Sequence, residues 1–356
     1  LIDVAKFWTF PVPGTDAFMA VARDWEGFVF LNPTAAWIWQ NLSITDLYSA
    51  YSKRFEITLE QSRSDVEGMF ANWAKWPPPP VSYEAEIHTT IALIDRNIRF
   101  KLGDVTFLLQ FLTSGIADEV IPRVSNLKPS QLPPDHTFVL SEQNDGVSIS
   151  LNGSLLGVEP FVNSARGLLL QEVARLATPC RTFRAILHAG VVGDAKGCVI
   201  LAGASFSGKS TLCAALMQAG YTCYGEDSAA LTPAYQVAGM PFAISLRKGS
   251  WHLFPQLERP RFIPSNLNGD SPMVPPVGIV LVEYDSQAEA LHVEEVNTFD
   301  ALVSLQHSGF WIEHTHTGVE SFLQWISNQP IYRLRYSNLN AAVAQVAKFI
   351  TDPKPS

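Results

Sequence analysis

The sequence predicts a mixed α/β protein, and three stretches carry that expectation. The apolar run Cys198 to Ala202 feeds directly into Gly203-Ala204-Ser205-Phe206-Ser207-Gly208-Lys209-Ser210-Thr211, and Leu212 to Met217 then continue with the apolar spacing of a helix lying on a sheet. Beyond it, strand-like segments near residues 221–224, 229–231, 243–246 and 277–283 alternate with loops, before helical segments near 300–308, 318–327 and 340–350. Ahead of Pro77-Pro78-Pro79-Pro80, three short strands precede three helices.

The four prolines mark the clearest boundary, because such a run neither continues a helix nor joins a sheet. They divide the chain into a small N-terminal unit (1–76), a linker (77–80), a middle α/β segment (81–184) and a C-terminal domain (185–356). In the first unit, strands are expected near 6–11, 18–24 and 27–31, with Asp24-Trp25-Glu26-Gly27 turning the second into the third. Asn32 then caps a helix with Pro33 at its first position, a second helix starts after Ser43 or Thr45, and Thr58 caps a third. Leu59, Val66, Met69, Phe70 and Trp73 recur at helical spacing in that third helix and are expected in the core. Trp37, Trp39, Trp73 and Trp76 serve either as core or as an aromatic face for a peptide. The middle segment shows short strands, among them 106–109, 137–140 and 147–153, and one helix over 164–177.

Composition narrows the function classes. A chain of 356 residues with 47% hydrophobic and 17% charged residues can bury a sizeable core. Its net charge of −9 and lack of any Lys/Arg cluster argue against a nucleic-acid partner. The sequence holds no apolar run of membrane-spanning length and no signal-peptide pattern at its start, so no membrane partner and a cytoplasmic location are expected. Cys180, Cys198, Cys213 and Cys223 form no C-x-x-C pair and read as buried free thiols.

Residues 203–211 match the phosphate-loop pattern G-x-x-x-x-G-K-[ST] in its required strand-then-helix setting. Glycines there let successive amides turn toward an anion while the helix opening at Lys209 aims its positive end at the same place. In such loops Lys209 reaches the β- and γ-phosphates and the Ser210 hydroxyl binds Mg²⁺. ATP and GTP fit the pattern equally. Glu226 and Asp227 follow a strand expected beside the loop strand, where open α/β sheets place their ligands, and a carboxylate there suits a base for an acceptor hydroxyl or a metal ligand. Solvated loop acids are the plain alternative. His314-Thr315-His316 has metal-like spacing on an expected strand, without a third ligand nearby.

From about Ile186 to Ile350 the chain resembles HPr kinase, and more closely the HPr-kinase-related proteins outside sugar regulation. The resemblance rests on Leu187-His188-Ala189-Gly190, the loop Gly203 to Thr211, Gly220 to Asp227, and Phe242 to Ser250. It implies an HPr-kinase-like domain with a central sheet, ATP and Mg²⁺ as cofactors, and catalytic roles for Glu226, Asp227, Lys209 and His188. Ser210 and Asp227 would hold the metal. His188 serves either beside the phosphates or as a structural histidine, and Arg247 with Lys248 either binds a phosphate or acidic acceptor or ends a strand in solvent. The family usually carries two aspartates where Glu226-Asp227 stands, so either acid could be the base. The Arg-Gly-rich signature of true HPr kinases is not apparent, which disfavours HPr as substrate.

Residues 7–76 resemble the peptide chaperone of pyrroloquinoline quinone biosynthesis, through Gly27-Phe28-Val29-Phe30-Leu31-Asn32-Pro33-Thr34-Ala35-Ala36-Trp37-Ile38-Trp39. That likeness implies a winged-helix unit of three strands and three helices that captures the leader of a ribosomally made, post-translationally modified peptide. The leader would add as a strand along Phe28, Val29 and Phe30. Together the resemblances imply an ATP-dependent kinase for a Ser or Thr hydroxyl of a precursor peptide, with partner modification enzymes possible. The alternatives are a nucleotide-binding scaffold that delivers the precursor to a partner enzyme, and a kinase of a small hydroxyl compound.

Overall fold

A computed structural model describes residues 3–24, 27–73, 94–143, 146–178, 182–257, 261–267 and 271–352. The proline linker, Trp76, Cys180 and the Trp25-Glu26 turn lie outside the described residues. The protein is mixed α/β and falls into two compact units. One draws on residues 1–82, 297–303 and 314–327; the other on 83–296, 304–313 and 328–356. Among the described residues no helix is long and apolar enough to cross a membrane.

In the first unit, β1 (Phe7–Pro11), β2 (Phe18–Ala22) and β3 (Phe28–Leu31) form an antiparallel sheet in that order. Helix α1 (Pro33–Gln40) starts where Asn32 accepts the Ala35 amide at 2.8 Å, the cap expected of Asn before Pro. Helix α2 (Leu47–Phe55) starts after Thr45, as expected, with Asp46 as its cap, whose carboxylate accepts the Ser49 amide. Thr58 caps α3 (Leu59–Trp73) by accepting from Gln61 at 3.2 Å. Ile38, Trp39, Tyr51, Val66 and Trp73 fill the core, with Trp39 and Trp73 edge to face at 5.3 Å. Leu59, expected inside, sits in the first turn of α3 and is exposed, because the core contacts begin a turn later at Ser62 and Val66.

Helix His316–Ser327 belongs to this unit as well. His316 opens that helix and packs on Phe10 with ring centres 4.7 Å apart, while His314 lies 5.7 Å from Trp8. The pair is therefore not on a strand, and aromatic packing accounts for it. No group of three metal-ligating side chains occurs among the described residues.

The second unit begins with a six-stranded mixed sheet. Its strands β4 (Arg96–Leu102), β5 (Val105–Phe111), β6 (His136–Gln143), β7 (Gly146–Leu151) and β8 (Ser154–Glu159) lie in that order, with the short Lys128–Pro129 strand outside β4. β5 and β6 run parallel, so the chain between them must cross over, and it does so through α4 (Ser114–Val124). Sequence reading missed this helix. Ile116, Val120 and Val124 recur at the right interval and are fully buried, but Pro122 interrupts the pattern and Thr113 makes no side-chain cap. The expected second helix of the segment is α5 (Val162–Ala177).

Downstream, β9 (Ala185–Leu187) pairs with β13 (Ala229–Leu231) in a five-stranded sheet. The following sheet has the order β12-β10-β11-β14-β16-β15, with β10 (Ala189–Gly193), β11 (Cys198–Ala202), β12 (Thr222–Gly225), β14 (Pro276–Tyr284), β15 (His292–Glu295) and β16 (Ile331–Tyr336). All five residues of β11 are buried, the mark of a strand covered on both faces. α6 (Lys209–Gln218) and helix Leu339–Thr351 cover one face through Leu212, Leu216, Val346 and Ile350.

Gly190 lets α6 lie close to β10. A Cβ at that position would stand 2.3 Å from Cys213 Sγ. Gly190→Ala is expected to destabilise the protein by about 1–3 kcal/mol through overpacking, read as a lower urea midpoint with an unchanged m-value.

Candidate functional site

Three chain reversals meet at one edge of this sheet. β11 ends at Ala202 opposite Ala189, and β12 ends at Gly225 opposite Val191. The expectation that β12 neighbours the loop strand is corrected here, because β10 lies between them. Both strands run antiparallel to β10 and so parallel to each other, which still delivers the loop 203–208 and the acids Glu226-Asp227 to the same edge. His188, one residue before β10, completes the cluster, with Nδ1 3.0 Å from the Asp227 carbonyl oxygen.

The loop turns tightly between β11 and α6. Gly208 takes φ +92°, and a Cβ there would meet the Tyr336 hydroxyl at 2.6 Å. Lys209 Nζ donates to the carbonyls of Gly203 at 2.6 Å and Ala204 at 3.0 Å, and its side chain is buried. Burial lowers the Lys209 pKa, Asp227 and Glu226 oppose that, and Arg247 reinforces it. The first amides of α6 have no carbonyl to take within the helix. Such a site could hold a polyphosphate on Gly203, Ala204, Ser205, Phe206, Ser207, Gly208, Lys209, Ser210 and Thr211.

The acids are divided by their surroundings. Glu226 is buried and accepts a short hydrogen bond from the Ser210 hydroxyl. Burial, with Asp227 adjoining, raises its pKa to about 7 against the pull of Arg123. Burial also works to raise Asp227, but Arg123, Arg166, His188 and Lys209 together outweigh it and hold the pKa below the ordinary value. His188 itself is lowered, mainly by burial. One carboxyl thus sits beside the hydroxyl of Ser210, and the other stays charged and 38% exposed at the side chain.

Arg123 and Arg166 were not anticipated from sequence. Arg123 ends α4 with 2% side-chain exposure, its Nη2 3.1 Å from Glu226 Oε2 and its Nη1 3.4 Å from Asp227 Oδ2. Arg166, from α5, approaches Asp227 at 3.7 Å. Both come from the middle segment, more than fifty residues away in sequence, so no local signal links them to the acids. The one available hint was the position of Arg123 on the apolar stripe of α4, where a charge is costly unless paired.

The remaining candidates separate. Arg247 places its guanidinium 3.6 Å over the ring of Phe206 at the loop, whereas Lys248 opens a short 3₁₀ helix (Lys248–Leu253) in solvent. Thr211 and Ser250 hydroxyls meet at 2.7 Å, which pins that short helix to α6. Phe28, Val29 and Phe30 lie on β3, an edge strand among the described residues, and Phe30 packs edge to face on Phe299. An apolar cleft lined by Val277, Tyr332 and Phe349 lies at the start of β14, away from all these groups.

Because no three ligating side chains converge among the described residues, a divalent cation at Ser210 and the acids would draw its other ligands from phosphate oxygens and water. No protein-family model matches the chain, and no curated protein matches it.

Two outcomes test the electrostatics. Arg123→Met strands a buried carboxylate and is expected to cost about 3–5 kcal/mol, with the Arg123→Met/Glu226→Gln double variant recovering at least half of it in urea titrations. Separately, the raised Glu226 pKa means that the folded chain holds this proton more tightly than the unfolded chain, whose value is near 4.5. Its stabilising contribution is full below about 4.5 and is lost as pH rises through about 7. Relative to Glu226→Gln, the wild type should therefore lose on the order of 2–3 kcal/mol between those limits, measured as the difference between the two stability curves.

Proposed function

We propose that this protein is an ATP-dependent kinase that phosphorylates a Ser or Thr hydroxyl of a ribosomally made precursor peptide captured through its leader. The observation that carries the reading is that Ser210, Lys209, Glu226 and Asp227 come together where β11 and β12 end, with Ser210 hydrogen-bonded to Glu226 and two arginines on Asp227. It fits an HPr-kinase-like catalytic domain joined to an N-terminal winged-helix unit.

Phosphoryl transfer needs positioning and charge screening more than covalent help. Loop amides and Lys209 hold the phosphate tail. Mg²⁺, when bound, screens the phosphate charge, and Ser210 with the neighbouring carboxyl side chains would hold it. Asp227, kept ionised by Arg123 and Arg166, accepts the proton of the incoming hydroxyl. Glu226, bonded to Ser210, fixes the rotamer of that hydroxyl. Arg247 offers a charge to the phosphates or to an acidic acceptor.

The leader would bind along the edge of β3, where main-chain pairing supplies affinity and alternate side chains supply selectivity. Tethering then raises the effective concentration of the core peptide at the acids, so the catalytic pocket need read little sequence. A second reading, a nucleotide-dependent scaffold without transfer, draws support from the two guanidiniums that already engage Asp227.

Mass measurement separates the readings. With Mg-ATP and the precursor encoded beside its gene, the wild type is expected to add a phosphate to the peptide. Lys209→Ala should lower transfer roughly a hundredfold or more while leader binding persists. An unchanged peptide mass with intact ATP would favour the scaffold, and undiminished turnover in Lys209→Ala would end the kinase reading.

A further inference from the structure

Phe206 is the residue of the loop whose exposed side chain its phosphate-binding role leaves unexplained. It holds φ +70°, a left-handed conformation that bulky side chains rarely adopt, between the two glycines of the motif. It is also 80% exposed, the largest exposure among the exposed large hydrophobic residues described. A left-handed residue here helps turn successive amides toward an anion, which accounts for the backbone but not for a benzyl ring standing where glycine would suffice, exposed at a candidate ligand site. The Arg247 guanidinium lies 3.6 Å above one face of the ring, and the exposure of the ring leaves its other face open. The backbone of that partner is anchored, since Arg247 directly precedes the short helix that the Thr211–Ser250 bond fastens to α6. The result is a flat, cation-backed aromatic surface in the same loop as the amides that would take a phosphate tail, three residues before the lysine.

We infer that Phe206, backed by Arg247, is a stacking platform for the purine base of the bound nucleotide. The inference rests on the nucleotide reading of the loop and adds the part of the ligand that the phosphate motif does not address. A base stacks through its π-face, which adenine and guanine share, so this surface favours a nucleoside over bare polyphosphate without choosing between the two purines. Arg247 acts here by fixing the ring, with its in-plane N–H groups still free to donate.

The test compares ATP, GTP and inorganic tripolyphosphate by calorimetry on the full chain with Mg²⁺. In the wild type both nucleotides are expected to bind more tightly than tripolyphosphate. Phe206→Gly, which suits the positive φ and should fold at least as well as the wild type by thermal melting, is expected to lose roughly tenfold in affinity for ATP and GTP alike. Its tripolyphosphate affinity, which depends on the backbone amide at this position and not on the ring, should fall by less than its nucleotide affinity. Phe206→Tyr should retain the wild-type preference.

A wild type that binds tripolyphosphate as tightly as ATP overturns the platform and leaves the phosphate loop standing. So does a Phe206→Gly variant with undiminished ATP affinity, including one whose only defect is a raised KM for the precursor peptide, which would assign the ring to the acceptor. Absence of binding to all three probes overturns the nucleotide reading itself and the platform with it.

Discussion

A single buried guanidinium organises the second unit. Arg123 has almost no contact with water, yet it faces two carboxyls that follow one another in the chain. Two adjacent acids at a sheet edge repel, and burying them adds a desolvation cost that only paired positive charge offsets. Arg123 and Arg166 supply it, and the pair responds unequally: the more exposed acid stays charged and the more buried one retains its proton more readily. Such a division of two carboxyls into different ionisation states is a recurring feature of sites that move protons.

That arrangement explains why the middle segment cannot be regarded as a spacer. Helices α4 and α5 pack their apolar faces into the first large sheet, with Ile116, Val120, Leu169 and Val173 fully buried. Arg123 and Arg166, at positions on those same faces, reach Glu226 and Asp227. Further bonds bind the segments together, including Asn126 to the Pro241 carbonyl at 2.9 Å and Arg261 to Glu119. Changes in the first sheet should therefore be felt at the acids through α4, a positional effect that distance from the loop would not suggest.

The first unit follows a different economy. Its small sheet and three helices enclose an aromatic core, and the described contacts extend to segments from far along the chain, through His316 on Phe10 and Phe299 on Phe30. Among the described residues β3 pairs with β2 on one side, and the proposed leader would follow its other side, where a strand edge takes a charge, a cover or a partner strand. Under the proposed function, peptide addition would supply the third.

Local chemistry was readable from the amino-acid sequence. Asn32 before Pro33, Thr58 before α3, the glycines and lysine of residues 203–211 and the apolar run of β11 act through neighbours a few positions away, and each is found in the conformation its type requires. What no local rule contains is the partner of a charge. Helix α4 was hidden by Pro122, and with it went Arg123, whose carboxyl partners lie about a hundred residues on. Likewise the position of β10 between β11 and β12 follows from sheet pairing, not from the order of segments. The sequence alone determined where an anion could sit, because that depends on consecutive amides. The tertiary structure alone decided which acid holds its proton more readily, because that depends on burial and on arginines brought together only when the sheets pack.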